Sequence, residues 1–231
     1  MLFWEHLLNG LICACAIVCF YYLINQCVEA SGKAQDLSLD NRVYRVQPRK
    51  LPPGVWIQLQ ADMARGAHER RVNLQVCQTY HLDPPTSMLD KYIKAIGKMK
   101  KPNIKQLYHG TGSFDAVLSI ADDGFRLPPK THPNMFGPGV YFATVPQKSY
   151  DYTGPGGWIL ICSVAVGNPR KVKKSKFIDP DKDLTGRSWI FWTKSYDSVH
   201  APAGVSTVSD EHIVYDVDKI YPAYLISVKR V

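Results

Sequence analysis

The residues in this chain with most capacity for chemistry fall into three short stretches. In the first, Leu107-Tyr108-His109-Gly110-Thr111, an imidazole is followed directly by glycine. Histidine can donate or accept a hydrogen bond at neutral pH, and a glycine beside it lets a ligand approach backbone that a Cβ would obstruct. The second, Phe136-Gly137-Pro138-Gly139-Val140-Tyr141-Phe142-Ala143, carries an aromatic on a strand entered through glycines, and Lys148, Ser149 and Tyr152 follow it. Tyr141 and Tyr152 can stack on a planar ring, and a serine hydroxyl can bind an amide. The third, Asp210-Glu211-His212-Ile213-Val214-Tyr215-Asp216, opens an apolar strand with acid. A carboxylate placed there can stabilise positive charge that develops only in a transition state. Taken singly, His109 reads as a satisfied structural histidine, the tyrosines as core aromatics, Glu211 as an exposed strand end and Lys148 as a surface lysine. Their joint order outweighs those separate readings.

Several chemistries are excluded. Gly110-Thr111-Gly112 lacks the third glycine of a dinucleotide fingerprint and precedes no βαβ crossover, and no phosphate-loop lysine pattern occurs. Of the six cysteines, Cys13, Cys15, Cys19 and Cys27 lie in or just after an apolar N-terminal run, leaving Cys77 and Cys162 for the remainder. That is too few for a disulfide framework. No C-x-x-C or H-E-x-x-H spacing suggests a metal. Cys162, within Trp158-Ile159-Leu160-Ile161-Cys162, reads as a buried strand residue.

The elements that must position these residues are legible in outline. Val72, Leu74 and Val76 alternate like a half-buried strand. Asp83-Pro84-Pro85 breaks the chain, and Thr86 is a candidate cap for a helix with Leu89, Tyr92, Ile93, Ile96 and Met99 at helical spacing. Lys98, Lys100 and Lys101 end it; they suit the negative helix end and read as a solvated face. Ser113 predicts the cap of a second helix bearing Ala116, Val117, Ile120 and Ala121, stopped by Gly124. Gly139 to Ala143, Trp158 to Val166, His212 to Tyr215 and Tyr224 to Val228 have strand composition, with loops rich in Gly and Pro between them. The pattern predicts an α+β fold of antiparallel β-sheets with flanking helices rather than alternating βαβ units.

In this order the motifs resemble the catalytic domain of the poly(ADP-ribose) polymerase family of ADP-ribosyltransferases. Leu107 to Thr111 is similar to the family's His-Gly-Thr element, Phe136 to Ala143 to its Gly-x-Tyr-Phe-Ala element, and Asp210 to Asp216 to the segment carrying its catalytic glutamate. Tyr221-Pro222-Ala223-Tyr224-Leu225-Ile226 continues the match. The resemblance implies an NAD⁺-binding cleft between antiparallel sheets and transfer of ADP-ribose from NAD⁺ to a protein acceptor, the chain itself included. Nicotinamide would leave, and no metal would be needed. It implies His109 at the adenosine ribose, Gly110 and Ser149 at the nicotinamide amide, Tyr141 and Tyr152 stacked on the nicotinamide ring, Lys148 assisting electrostatically, and Glu211 stabilising the oxocarbenium-like transition state. A glutamate in the third catalytic position leaves polymer elongation open, since family members lacking it add a single unit. Two other functions remain open: a membrane-tethered module that binds NAD⁺ or ADP-ribose without turnover, and a secreted ADP-ribosylating toxin. The chain has no room for the regulatory helical domain or zinc fingers of DNA-dependent members.

The 231 residues divide into an N-terminal segment over 1–30, a linker over 31–54 and one globular catalytic domain over 55–231. Leu7 to Ile24 carries no charge and is just long enough to cross a bilayer as a transmembrane helix; Tyr21 and Tyr22 suit the interface. Lys33, Arg42, Arg45, Arg49 and Lys50 follow it, which by the positive-inside bias places the domain in the cytoplasm as a single-pass membrane protein. Val28-Glu29-Ala30 before Ser31 keeps a cleaved signal peptide, hence secretion, as the alternative. The linker contains Gln47-Pro48-Arg49-Lys50-Leu51-Pro52-Pro53. A net charge of +8 suits polyanionic partners. Arg170, Lys171, Lys173, Lys174 and Lys176 read first as a solvated loop, with nucleic acid or lipid contact second.

Overall fold

A helix that the periodicity does not announce opens the helical part of the fold. In the computed structural model, which describes residues 45–131, 134–185, 195–205 and 208–231, α1 spans Pro53–Arg70 and follows a short strand, β1 (Val46–Pro48). Proline at the first turn of α1 removes an N–H that would lack an intrahelical partner there, and Arg71 ends the helix in a left-handed conformation (φ 54°). Its buried residues are Leu59, Asp62 and Gly66. One is charged and one has no side chain, so no apolar stripe marks the helix.

The remaining elements are β2 (Leu74–Leu82), α2 (Thr86–Gly97), β3 (Ile104–Gly110), α3 (Phe114–Asp123), β4 (Val140–Ala143), α4 (Pro146–Tyr150), β5 (Trp158–Ala165), β6 (Pro169–Lys171), β7 (Ser198–Ala201), β8 (Glu211–Val214) and β9 (Ile220–Arg230). A π-helical turn covers Pro180–Leu184 and a 3₁₀ turn Val217–Lys219. Ser113 caps α3 as expected: its hydroxyl accepts from the Ala116 N–H at 3.2 Å, and Gly124 (φ 83°) stops the helix. The expected cap of α2 is corrected. Pro85, already extended at φ −54° and ψ 142°, precedes the first turn, and Thr86 lies inside the helix with no side-chain cap bond at its start.

Among the described residues the strands form one sheet in the order β1-β2-β9-β5-β3-β4-β8-β7-β6. All neighbouring pairs are antiparallel except β6 with β7. The expected separate sheets are thus joined, but thinly, since β3 meets β4 at the single register pair Tyr108–Ala143 whereas β3 meets β5 over seven pairs from Ile104–Ala165 to Gly110–Ile159. At that seam the ladder opens and a cleft begins. The domain boundary shifts as well. Val46–Pro48 pairs with Tyr80–Leu82, and Val46 is buried, so part of the stretch read as linker supplies an edge strand and core contacts.

Two apolar clusters fill the faces of the sheet around β3 and β5. Leu107, Phe142, Leu160 and Leu225 pack with α3 through Val117 and Ala121, while Tyr108, Ile159, Ile161 and Ile226 pack with Leu59 of α1. This is the two-sided burial expected when successive strand residues point to opposite faces. Cys162 is buried in β5, and burial pushes its thiol pKa up, as suits an inert core residue. The transmembrane reading of Leu7 to Ile24 lies outside the described residues, and no helix within them is long and apolar enough to cross a membrane.

Candidate active site

The seven residues singled out by type and spacing converge on one cleft. His109 and Gly110 end β3, Tyr141 lies in β4, Lys148 and Ser149 lie in α4, Tyr152 follows that helix, and Glu211 begins β8. All seven line a cavity of about 660 Å³, closed on its other side by α3 and the loop through Arg126, Asn134 and Met135. That volume falls in the range of small-molecule sites.

Backbone alternation fixes how Gly110 faces the cleft. The Thr111 N–H donates to the Trp158 carbonyl at 3.1 Å, making Thr111 and Trp158 a hydrogen-bonded pair, so the adjacent pair Gly110–Ile159 is a non-bonded one. The N–H and C=O of Gly110 therefore point away from β5, toward the edge where β4 diverges. They form a donor–acceptor pair of the kind a carboxamide matches. A side chain is excluded there for a reason the sequence does not disclose. A Cβ on Gly110 would lie 1.9 Å from the Ser149 carbonyl oxygen, so glycine is what lets α4 close against the end of β3.

His109 is held in one tautomer. Its Nδ1 lies 2.9 Å from the Tyr141 carbonyl, which can only accept, so Nδ1 carries the proton. Burial lowers its pKa, and its ring stands edge-on to Phe125 at 5.1 Å between centroids. The imidazole is neutral, and Nε2 is left as an acceptor suited to a hydroxyl. Tyr141 is fixed at its phenol: the hydroxyl accepts from the Phe136 N–H at 2.8 Å and donates to the Gly137 carbonyl at 3.1 Å. Burial pushes its pKa up to about 12. The phenol stays protonated, and the ring face is what it offers the cleft. Gly137, at φ 87°, makes the turn that brings these two backbone groups to the phenol.

Lys148 is a buried residue rather than the surface lysine of the ordinary reading. Its Nζ donates to the Tyr152 hydroxyl at 2.9 Å and lies 3.7 Å from Glu211 Oε1. The reason is local: α4 packs on α1, where Gln147 Nε2 donates to the Met63 carbonyl at 2.8 Å, and this turns Lys148 inward. Tyr152, 59% exposed, stands at the mouth of the cleft, with the Lys148 ammonium 4.6 Å from its ring centroid. Glu211 is buried, and burial raises its pKa above the ordinary glutamate range; Lys148, and then Arg70, pull it back.

Two members of this charge cluster escape sequence reasoning. Arg70 Nη2 donates to Asp151 Oδ2 at 2.5 Å, and that carboxylate also lies 3.8 Å from Lys148 Nζ. Arg70 ends a helix that no apolar periodicity reveals. Asp151 sits beside Tyr152, and nothing in its type or spacing marks it in the sequence. Phe125, which orients His109, looks in sequence like any loop aromatic after a helix.

The model of the poly(ADP-ribose) polymerase catalytic domain matches residues 59–230. The chain belongs to that family. Among its curated relatives, poly [ADP-ribose] polymerase 1 of Danio rerio is 32% identical over 157 residues, covering 55% of this chain and 15% of its own. The Drosophila melanogaster poly [ADP-ribose] polymerase is 33% identical over 153 residues, 54% of this chain and 15% of its own. For poly [ADP-ribose] polymerase 1 of Arabidopsis thaliana the figures are 30% over 166 residues, 61% and 17%. The aligned region is thus a small part of the length of these relatives. The resemblance seen in the four motifs is borne out at the level of the whole domain.

Proposed function

We propose that this chain transfers ADP-ribose from NAD⁺ to a protein side chain, its own included, and releases nicotinamide. The observation that carries the reading is the convergence of His109, Gly110, Tyr141, Lys148, Ser149, Tyr152 and Glu211 on one cleft of about 660 Å³ within a poly(ADP-ribose) polymerase catalytic domain. The residues fit the substrate by chemistry. His109 Nε2 accepts from the adenosine ribose, the outward N–H and C=O of Gly110 pair with the nicotinamide amide, and Ser149 adds a hydroxyl there. Tyr141 and Tyr152 bound the nicotinamide ring on its faces.

Cleavage of the nicotinamide–ribose bond places positive charge on the ribose and returns the bonding pair to the ring nitrogen. Glu211 accepts from the ribose hydroxyls and stabilises that charge in a buried setting, where a fixed carboxylate acts more strongly than in water. It also takes the proton of the incoming acceptor nucleophile. Lys148 favours the ionised form of Glu211 against the larger, opposing effect of burial, and Asp151 with Arg70 holds Lys148 at that work. The glutamate leaves elongation to a polymer open beside single-unit transfer. Residues 1–30 would hold the domain at a membrane with its cleft in the cytoplasm; the uncharged run from Leu7 to Ile24 supports that reading. The test is mass spectrometry of the full chain after incubation with NAD⁺. Adducts of one or more ADP-ribose units on defined side chains are expected, and an unmodified chain with unmodified added protein would refute transfer.

A further inference from the structure

A second hollow lies away from the cleft and is lined by lysines that no catalytic role uses. It has a volume of about 980 Å³, and Lys91, Lys94, Lys98, Lys100 and Lys101 all line it. Lys91, Lys94 and Lys98 fall at i, i+3 and i+7 on and just past α2, so they form one row on the face opposite buried Tyr92 and Ile96. Asp90 is the sole acidic residue of that helix. Among the described residues none of these five lysines has an ion-pair partner, whereas Lys219 across the hollow is paired to Asp197 at 3.2 Å. Compensation of a helix dipole involves the last turn alone, and Lys91 lies before it. Asp197, Asp216 and Asp218 line the same hollow, so six lysines face three aspartates there, and with Asp197 already held by Lys219 the lining keeps an excess of positive charge that suits an added anion.

We propose that this hollow and its lysine row bind the phosphodiester backbone of a nucleic-acid duplex. The row rises about 10 Å along the helix, which matches about three base-pair steps along one strand. No aromatic side chain lines the hollow, so there is nothing to stack on unpaired bases, and recognition is of phosphates without regard to sequence. The site is separate from the cleft. Lys98 to Lys101 lead into the start of β3 while His109 and Gly110 end it, and seven residues of extended strand hold the two about 20–25 Å apart. A bound duplex therefore leaves the cleft open and can bring its associated proteins near it as acceptors.

The experiment is fluorescence anisotropy of the full chain in mild detergent with labelled 20-base-pair DNA and RNA duplexes across a salt series. Neutralising Lys91→Gln, Lys94→Gln and Lys98→Gln together should weaken binding of at least one duplex at least tenfold. It should also reduce the slope of log K against log salt by about 2.7, the value for three lost phosphate contacts. A matched control, Lys171→Gln, Lys173→Gln and Lys174→Gln, removes equal charge from the exposed end of β6 and the loop after it and should change affinity less than threefold. Thermal melts of both variants establish that they fold. Equal weakening by the two triple variants, or no weakening by the first, would overturn the proposal. So would a result in which the first variant loses only binding to phosphatidylserine vesicles and keeps duplex affinity, for then the row serves a membrane. Because these readouts need no NAD⁺, failure here is distinguishable from failure of the transferase reading.

Discussion

Burial and Lys148 act in opposite directions on Glu211, and both leave measurable traces. Burial is the larger effect, so the carboxyl titrates above the ordinary glutamate range. Activity that requires the carboxylate should then fall on the acid side at higher pH than an unperturbed glutamate would give, and Lys148→Met should move that limb further up; kcat/KM against pH reads both. The same shift affects stability. A folded-state pKa raised above the unfolded value means that the folded protein binds more protons between the two, so stability declines as pH rises through that window. Glu211→Gln, which is neutral throughout, should therefore melt at higher temperature than the parent at pH 7 and lose that advantage at pH 4, below both values. Much of this site was legible because each residue carries its chemistry in its type: a histidine before a glycine, tyrosines after glycines, an acid opening an apolar strand. What sequence could not disclose was the burial of Lys148, which depends on α4 docking against α1, and the reach of Arg70 to Asp151 from 81 positions away.

At the scale of elements, the site is hung on the thin seam between β3 and β4 and braced from behind by α1. Asp62, buried in α1, accepts from the Tyr108 hydroxyl at 2.7 Å, from Gln58 Nε2 at 3.1 Å and from Arg65 Nη2 at 2.8 Å. Arg65 Nη2 also donates to the Thr144 carbonyl at 2.7 Å, which ties α1 to the end of β4. Tyr108→Phe removes a hydrogen bond to a charged acceptor and should cost about 1.5–3 kcal/mol in denaturant unfolding, with the cleft residues unchanged. Ser113→Ala removes the cap of α3 and should cost about 1 kcal/mol by the same measurement. Ser113 and Gly124 were readable because a cap and a stop are written in single residues. α1 was not, since its buried face includes Asp62 and Gly66, the latter accommodating Gln147 where any side chain would collide. β1 was hidden by its brevity and by Pro48, which is compatible with an edge strand but with little else in a sheet.

For the whole molecule, the cleft lies between two groups of strands that share one register pair, so a ligand spanning it links halves that the backbone joins only weakly. A non-hydrolysable NAD⁺ analogue at 100 times its Kd should stabilise the fold by about 2.7 kcal/mol, and His109→Ala should remove most of that gain at the same concentration. Composition and charge announced a globular chain with an appetite for anions but left open where it lay; the fold divides that charge between a cleft holding one buried lysine and a hollow whose lysines outnumber its aspartates. The most direct test of the central claim is single-turnover release of nicotinamide from NAD⁺ by the full chain and by Glu211→Gln. If Glu211 acts in the transition state, the substitution lowers the release rate about a hundredfold or more while the Kd for NAD⁺ changes little. Equal release by the two proteins, or a loss wholly accounted for by weaker binding, would contradict it.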